Sequence, residues 1–497
     1  MKASAMSLIF LIMLFACQEE RLYCDTCDGL ADMAYNSGFN NLNIDMSEPA
    51  TGDRYKDIVE NPFIKVSEEP VSTFSIDADG ASYANVRRFL SENTPPPSGA
   101  IRTEELINYF AQDYPETNSN DPISVNGEVS LCPWQSGNKL IRIGIKGHDI
   151  PRHELPASNF VFLIDVSGSM SSDDKLHLLK EGFLLLVDEL SAHDRIAIVT
   201  YAGSAGVVLE STAGDQKETI KDAIRSLGSG GSTAGAEGIL SAYEIAQANL
   251  IEGGNNRVIL GTDGDFNVGI SNQEELITLI EGKRDLGIFL TVLGVGRGNL
   301  NDGMLEQLAN NGNGTYEYID RLEQAKKVFI YEHSKFYTAA KDVKVQVHFN
   351  SSLVEAYRLI GYENRLLNEE DFTDDKKDAG EIGVGQSITA LYEIKPASSA
   401  QLRVEPTFTI NFRYKQPDAD TSIPIDLDIF DEGKAFTHSS RHMRFTASLA
   451  GFGMLLRDSE YKGTITWNDI YDWSSQSIDY DPHGFKAEFV SIVLKMK

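Results

Sequence analysis

The chain has 497 residues, of which 41% are hydrophobic and 24% charged, and its net charge is -30 at pH 7. That composition excludes wholesale disorder, and the length asks for two to four domains. The acidity excludes a phosphate backbone as partner and would hold the chain off anionic lipid unless something anchors it.

At the N-terminus Lys2 precedes an apolar run from Met6 to Ala16. The run is too short to span a bilayer stably and has the shape of a secretory signal. It stops at Leu14-Phe15-Ala16-Cys17, which resembles the bacterial lipoprotein box, with Phe15 bulkier than the usual small residue. The resemblance implies cleavage before Cys17 and acylation of that cysteine. Gln18 follows instead of the aspartate that retains many lipoproteins at the inner membrane, so the outer membrane is favoured. The acidic pair Glu19-Glu20 resembles a surface-export signal of Bacteroidetes lipoproteins. The expected location is therefore the bacterial cell envelope, on a lipid tether alone, where disulfides form. Cys24 and Cys27 are a candidate disulfide pair in a linker, and Cys132 in "EVSLCPW" reads as a small core residue.

Residues 1–17 thus read as signal and 18–62 as a polar tether. Residues 63–157 form an N-terminal region. "STFSIDADG" reads as a strand, and "ASYANVRRFLSEN" and "RTEELINYFAQDY" as helices broken by Pro95-Pro96-Pro97. "ISVNGEVSLCPW" and "KLIRIGIKG" alternate like strands, with Asn126-Gly127 as a turn signal. Over 158–339 apolar β-branched strands alternate with helices, down to a closing helix "LEQAKKVFIYEHSKFYTAA". This pattern predicts an α/β unit with a doubly wound, mostly parallel sheet of Rossmann-like type, covered on both faces. Residues 340–497 read as β-rich and then helical. The strands on the two flanks are each too few to close a core, so they are expected to share one sandwich with the α/β unit inserted between them.

Such a sheet binds ligands at the carboxyl ends of its strands, near the topological switch point. There "FLIDVSGSM" runs a buried strand into Asp165, with Ser167 and Ser169 at alternate positions behind it. "SLGSGGSTAGAEG" carries Thr233 in a glycine-rich loop, and "RVILGTDGDFNVG" carries Asp263 directly after another buried strand. Two carboxylates and three hydroxyls suit a hard cation, Mg²⁺ or Mn²⁺ ahead of Ca²⁺, and the lack of His and Cys argues against zinc. Neutral hydroxyls leave a divalent ion under-neutralised, so an open coordination position favours a carboxylate from another molecule.

The Asp-x-Ser-x-Ser, the distant Thr and the later Thr-Asp-Gly resemble the metal-ion-dependent adhesion site of the von Willebrand factor type A (vWA) domain. The resemblance implies that Ser167, Ser169 and Thr233 ligate directly, and Asp165 and Asp263 directly or through water. It extends over residues 70 to 497, to bacterial vWA lipoproteins with an added N-terminal region and a C-terminal domain. "FSIDADGASYANVRRFL", "TDGDFNVG", "YRLIGYENRLL" and "GFGMLLRDSEYKG" carry that part of it. Gln386 stands where a His is expected and Gly261 where a larger residue is expected.

The expected function is a binding module: adhesion to an unknown protein partner that presents Asp or Glu to the bound metal. The alternative is an envelope scaffold whose metal site serves only stability. An enzyme is not expected. A phosphatase of the haloacid-dehalogenase type would need a second aspartate where Ser167 stands, and no G-x-S-x-G elbow surrounds either serine. "EDFTDDKKDAGE" lacks Ca²⁺-loop spacing and reads as a solvated acidic loop. His438 and His442 have helical ligand spacing but no evident third ligand.

Overall fold

The computed structural model describes residues 52–76, 79–116, 121–202, 206–230, 236–264, 273–377, 379–398 and 404–497. The signal, Cys17, Cys24, Cys27 and Thr233 lie outside them. No helix among the described residues is long and apolar enough to cross a membrane.

Four strands precede the α/β unit: β1 (Ile64–Lys65), β2 (Val71–Ser75), β3 (Ile123–Leu131) and β4 (Lys139–Gly147). The unit contributes β5 (Ser158–Asp165), β6 (Arg195–Tyr201), β7 (Gly206–Ala213), β8 (Asn255–Thr262), β9 (Ile288–Val295) and β10 (Tyr316–Ile319). Six more follow: β11 (Thr338–Phe349), β12 (Val354–Ile360), β13 (Gly380–Gly383), β14 (Ser387–Pro396), β15 (Phe408–Lys415) and β16 (Ile423–Ile429).

The α/β sheet runs β10-β9-β8-β5-β6-β7, parallel except for β7 against β6. β5 and β8 are buried at every position, as strands covered by helices on both faces must be. Helix Leu178–Glu189 covers one face, with Phe183 stacked on Phe162 at 4.2 Å between centroids. Gly261 on β8 leaves room for Leu179 of that helix, whose Cδ1 would lie 2.8 Å from a Cβ there. The small residue at 261 is thus matched by the leucine it packs against.

The flanks do share a sandwich. One sheet runs β1-β12-β14-β4-β3, and the other runs β13-β11-β15-β16 with β2 also paired to β11. Each sheet therefore takes strands from both sides of the insertion, and Phe74, Ile143, Val345, Tyr392 and Phe412 meet in the core between them. A separate helical core joins Tyr83 and Phe110 of the N-terminal region to Phe445, Phe452 and Phe489 of the C-terminal helices.

Several expectations need correction. Asn126-Gly127 makes no turn; both residues lie inside the continuous strand β3. The closing helix ends early: a helix at Leu322–Lys326 continues as a π-helical turn at Lys327–Tyr331 and a 3₁₀ turn at His333–Phe336, and Thr338-Ala339-Ala340 already belong to β11. Of the stretch expected to be tether, residues 53–61 lie against the body. Asp53 accepts from the Gly298 and Leu300 N–H groups and from Arg88, and Asn61 donates to the Leu359 and Gly361 carbonyls. The acidic loop is tied rather than simply solvated: Asp375 accepts from Arg413 and Ser422, and Asp371 closes a capping box with Asn368.

In "NNGNGT", just before β10, Gly314 sets the close approach of the chain to β9. A Cβ at 314 would collide with the backbone carbonyl of Leu290, which has no rotamer through which to yield. Gly314→Ala is expected to destabilise the chain by about 1–3 kcal/mol, measurable as a lowered urea midpoint.

Candidate metal centre

β5 and β8 are hydrogen-bonded neighbours, with Ile164 in register with Gly261. Their carboxyl ends therefore deliver Asp165 and Asp263 side by side at the point where the chain order reverses across the sheet. Both carboxylates are buried. Asp165 Oδ1 accepts the Ser167 backbone N–H at 2.8 Å, and Oδ2 accepts the Tyr201 hydroxyl at 3.2 Å and the Thr262 hydroxyl at 3.4 Å. Burial pushes the Asp165 carboxyl above its ordinary value, and the negative charge of Asp263 acts in the same direction.

The loop after β5 forms a short 3₁₀ turn, Gly168–Ser171, pinned by the fully buried Met170. It places Ser167 Oγ and Ser169 Oγ 2.9 Å apart on the solvent side of the carboxylates. Four of the five residues singled out from sequence thus meet at one place, and Thr233 lies outside the described residues. The turn that follows has no side-chain cap; Ser172 Oγ donates to Asp174 at 2.5 Å.

One member of the site was not foreseen. Lys175 Nζ donates to Asp263 Oδ2 at 2.9 Å and to Asn299 Oδ1 at 3.0 Å, with 8% of its side chain exposed. Burial pushes the Asp263 carboxyl up, but hydrogen bonds from Lys175, Ser169 and Asn299 outweigh it and hold the group below its ordinary value. Two features let the lysine in. Its backbone leaves helical geometry (φ -120°, ψ -109°), and its stem passes over Gly296, at φ +68°, where any Cβ would strike it. In "GVGRGN" the first two glycines flank Val295 at the end of β9, and the second clears a path for the lysine.

The donor set fits a hard divalent cation. It is all oxygen, mixes anionic and neutral groups, and leaves the serine side open to solvent. Asp165, Ser167, Ser169 and Asp263 would hold the ion, which would supply a positive charge able to take a carboxylate from outside. A second cluster, His442 with Asp113 and Asp479, is partly exposed. There His442 pairs with Asp113 at 2.8 Å and Arg441 with Asp479 at 3.2 Å. His438 sits in a separate 3₁₀ turn and does not join it. Cys132 is free and buried, as expected, and burial pushes its thiol up to about 12.

The von Willebrand factor type A domain family matches residues 159–329, the segment that builds this sheet and site. A family described as von Willebrand factor matches 49–142, and one described as the C-terminal part of the uncharacterized protein YfbK matches 334–497. The uncharacterized protein YfbK of Escherichia coli strain K12 is 40% identical over 472 residues, covering 90% of this chain and 81% of its own. The human inter-alpha-trypsin inhibitor heavy chain H3 is 28% identical over 188 residues, 36% of this chain and 21% of that protein. Among solved structures, a von Willebrand factor type A protein from Catenulispora acidiphila is 16% identical, covers 77% of this chain and 98% of its own, and has a TM-score of 0.41. The vWA domain serves protein–protein interaction and adhesion in general and commonly holds a divalent metal, and no catalytic activity is assigned to proteins of this kind. The chain belongs to the YfbK family of bacterial vWA proteins.

Proposed function

We propose that the α/β unit holds Mg²⁺ or Mn²⁺ through Asp165, Ser167, Ser169 and Asp263, with Thr233 as a further ligand, and uses it to capture an Asp or Glu side chain of a protein partner. The observation that carries this reading is the pair of serine hydroxyls 2.9 Å apart on the solvent side of two buried carboxylates. Neutral ligands facing outward leave the ion short of negative charge, and a partner's carboxylate supplies it. The rest of the chain carries the domain at the cell envelope, with Cys17 as the lipid attachment point. Cys17→Ser is expected to abolish incorporation of labelled fatty acid and release the protein from membranes.

The test is thermal unfolding of the chain with EDTA, Mg²⁺, Mn²⁺ or Ca²⁺, beside Asp263→Ala. A metal at about 100 times its dissociation constant adds roughly 2.7 kcal/mol. Mg²⁺ and Mn²⁺ are expected to raise the unfolding temperature of the parent and not of the variant. No rise at millimolar metal would sink the metal reading.

The other reading is a scaffold whose metal site serves only stability, and the Lys175–Asp263 pair, which already supplies a positive charge to the site, weighs against it. Ser167→Ala with Ser169→Ala separates the two readings. Adhesion predicts loss of Mg²⁺-dependent capture of an acidic partner with the melting temperature in EDTA unchanged. A scaffold predicts loss of metal-dependent stability with no capture to lose.

A further inference from the structure

Away from the metal centre, a cavity of about 440 Å³ opens where the three parts of the chain meet. Its wall comes from the segment after helix Thr103–Asn108, from the turns that close the α/β unit, from the start of β14, and from the approach to helix Phe485–Met496. The volume is in the range of small-molecule sites. Tyr109, Phe110 and Phe485 give it aromatic walls, and Tyr331 stacks on His483 at one side with centroids 3.7 Å apart and planes 7° apart.

The polar groups on this wall are unevenly satisfied. Its acids are engaged: Glu317 by Lys335, Glu332 by Lys327 and Lys335, Asp113 by His442. Asp481 accepts the N–H groups of Lys486 and Ala487, capping the last helix. Two donors stand apart. Lys486 is 2% exposed, and no described carboxylate lies within 4.0 Å of its ammonium, which donates over a long 3.4 Å to Gln112 Oε1 and lies 5.1 Å from the centroid of the Phe445 ring. Gln112, also 2% exposed, has no partner for its Nε2 among the described residues. A buried ammonium whose acids, Asp479, Asp113 and Asp481, act on it only from beyond ion-pair distance, and a buried amide N–H₂ without an acceptor among the described residues, are each costly, and they stand next to one another on the same cavity wall. What they lack is an acceptor carrying one negative charge and two oxygens.

We propose that this cavity binds a small organic carboxylate, its two oxygens taken by Lys486 Nζ and Gln112 Nε2 and its apolar body laid against Tyr109, Phe110 and Phe485. The charge count selects a monoanion. Lys486 is the one lining lysine with no described carboxylate within 4.0 Å, which suits a single carboxylate, whereas the six acids of the wall, Asp113, Glu116, Asp149, Glu317, Glu332 and Asp481, oppose a dianionic phosphate more strongly. Burial lowers the affinity of Lys486 for its proton, which is the cost that a bound anion relieves. The site rests on none of the metal-centre residues, so it stands whether or not the metal reading does.

Calorimetric titration of the full chain tests it, with benzoate and 3-phenylpropionate against their neutral amides, and with phenyl phosphate. At least one carboxylate is expected to bind about tenfold or more tightly than its own amide. Lys486→Met keeps the apolar stem, removes the unpaired charge and should fold at least as stably as the parent. It is expected to lose about tenfold or more in carboxylate affinity. Gln112→Leu should lose a smaller factor. The proposal is overturned if no carboxylate binds at millimolar concentration, if amides bind as well as acids, or if Lys486→Met binds like the parent. A preference for phenyl phosphate would assign the cavity to phosphate monoesters and overturn the carboxylate.

Discussion

Lys175→Met is expected to cost the metal-free chain about 3–5 kcal/mol and to raise its affinity for Mg²⁺ by about tenfold or more. Lys175 is the one cation bonded to the pair of carboxylates at the ends of β5 and β8, among the contacts described there. Asp263 has no exposed side-chain surface, so removing its charged partner leaves a buried carboxylate held by the neutral Ser169 and Asn299 hydrogen bonds, with Asp165 adding repulsion from the neighbouring strand end. Methionine keeps the stem that threads past Gly296, so the loss is of charge and not of packing. A divalent ion restores the missing positive charge. It no longer meets the repulsion of an ammonium bonded to one of its ligands, and tighter binding follows. Unfolding of the parent and the variant in EDTA and in saturating Mg²⁺ reads both effects. The variant should be the less stable protein in EDTA and should gain more from metal. If its stability is unchanged in EDTA, Lys175 does not balance the site. If metal fails to bind it better, the lysine supports the ligands instead of competing with the ion.

This lysine also marks where the sequence stops being legible. Asp165, Ser167, Ser169 and Asp263 stand out because they interrupt apolar strands at places where a buried strand gains nothing from a carboxylate or hydroxyl. Lys175 does not, since a lysine at the start of an amphipathic helix is ordinary. Its role depends on an off-helix backbone and on a glycine more than a hundred residues later, and neither is a local property. The shared sandwich was readable because each flank has too few strands to bury its own apolar faces. The closing segment misled for the opposite reason. "KKVFIYEHSKFYTAA" fits helical spacing as well as alternation, and only pairing of β11 with β2, β13 and β15 decides for a strand. Asn126-Gly127 has turn chemistry, but Gly127 is small because Ile429 packs over it, 2.7 Å from where a Cβ would stand. One signal was present and unread: Ile423, Ile425, Leu427 and Ile429 alternate with Pro424, Asp426 and Asp428, the period of a half-buried strand, and they form β16.

A second large effect is expected at Arg87, which joins the three parts of the chain. Arg87→Met should destabilise the protein by about 3–5 kcal/mol. The guanidinium lies on helix Ala81–Ser91 with 1% of its side chain exposed. It forks onto Asp320, just beyond β10, at 2.6 and 2.9 Å, donates to the Tyr109 hydroxyl at 2.8 Å, and reaches Glu488 of the last helix at 3.4 Å. One group thus touches the N-terminal region, the α/β unit and the C-terminal helix, in the planar fork geometry that lysine could not reproduce. Truncating it strands Asp320, whose side chain is 7% exposed. The cost should therefore come largely from the abandoned carboxylate, and the double variant Arg87→Met with Asp320→Leu should be less damaged than the sum of the single changes. Urea unfolding of the four proteins gives that coupling. A loss below about 0.5 kcal/mol in Arg87→Met would mean that the apolar helical core alone holds the parts in place, as it would for an ordinary surface substitution. A large coupling means that the orientation of the α/β unit on its sandwich is set by buried charge.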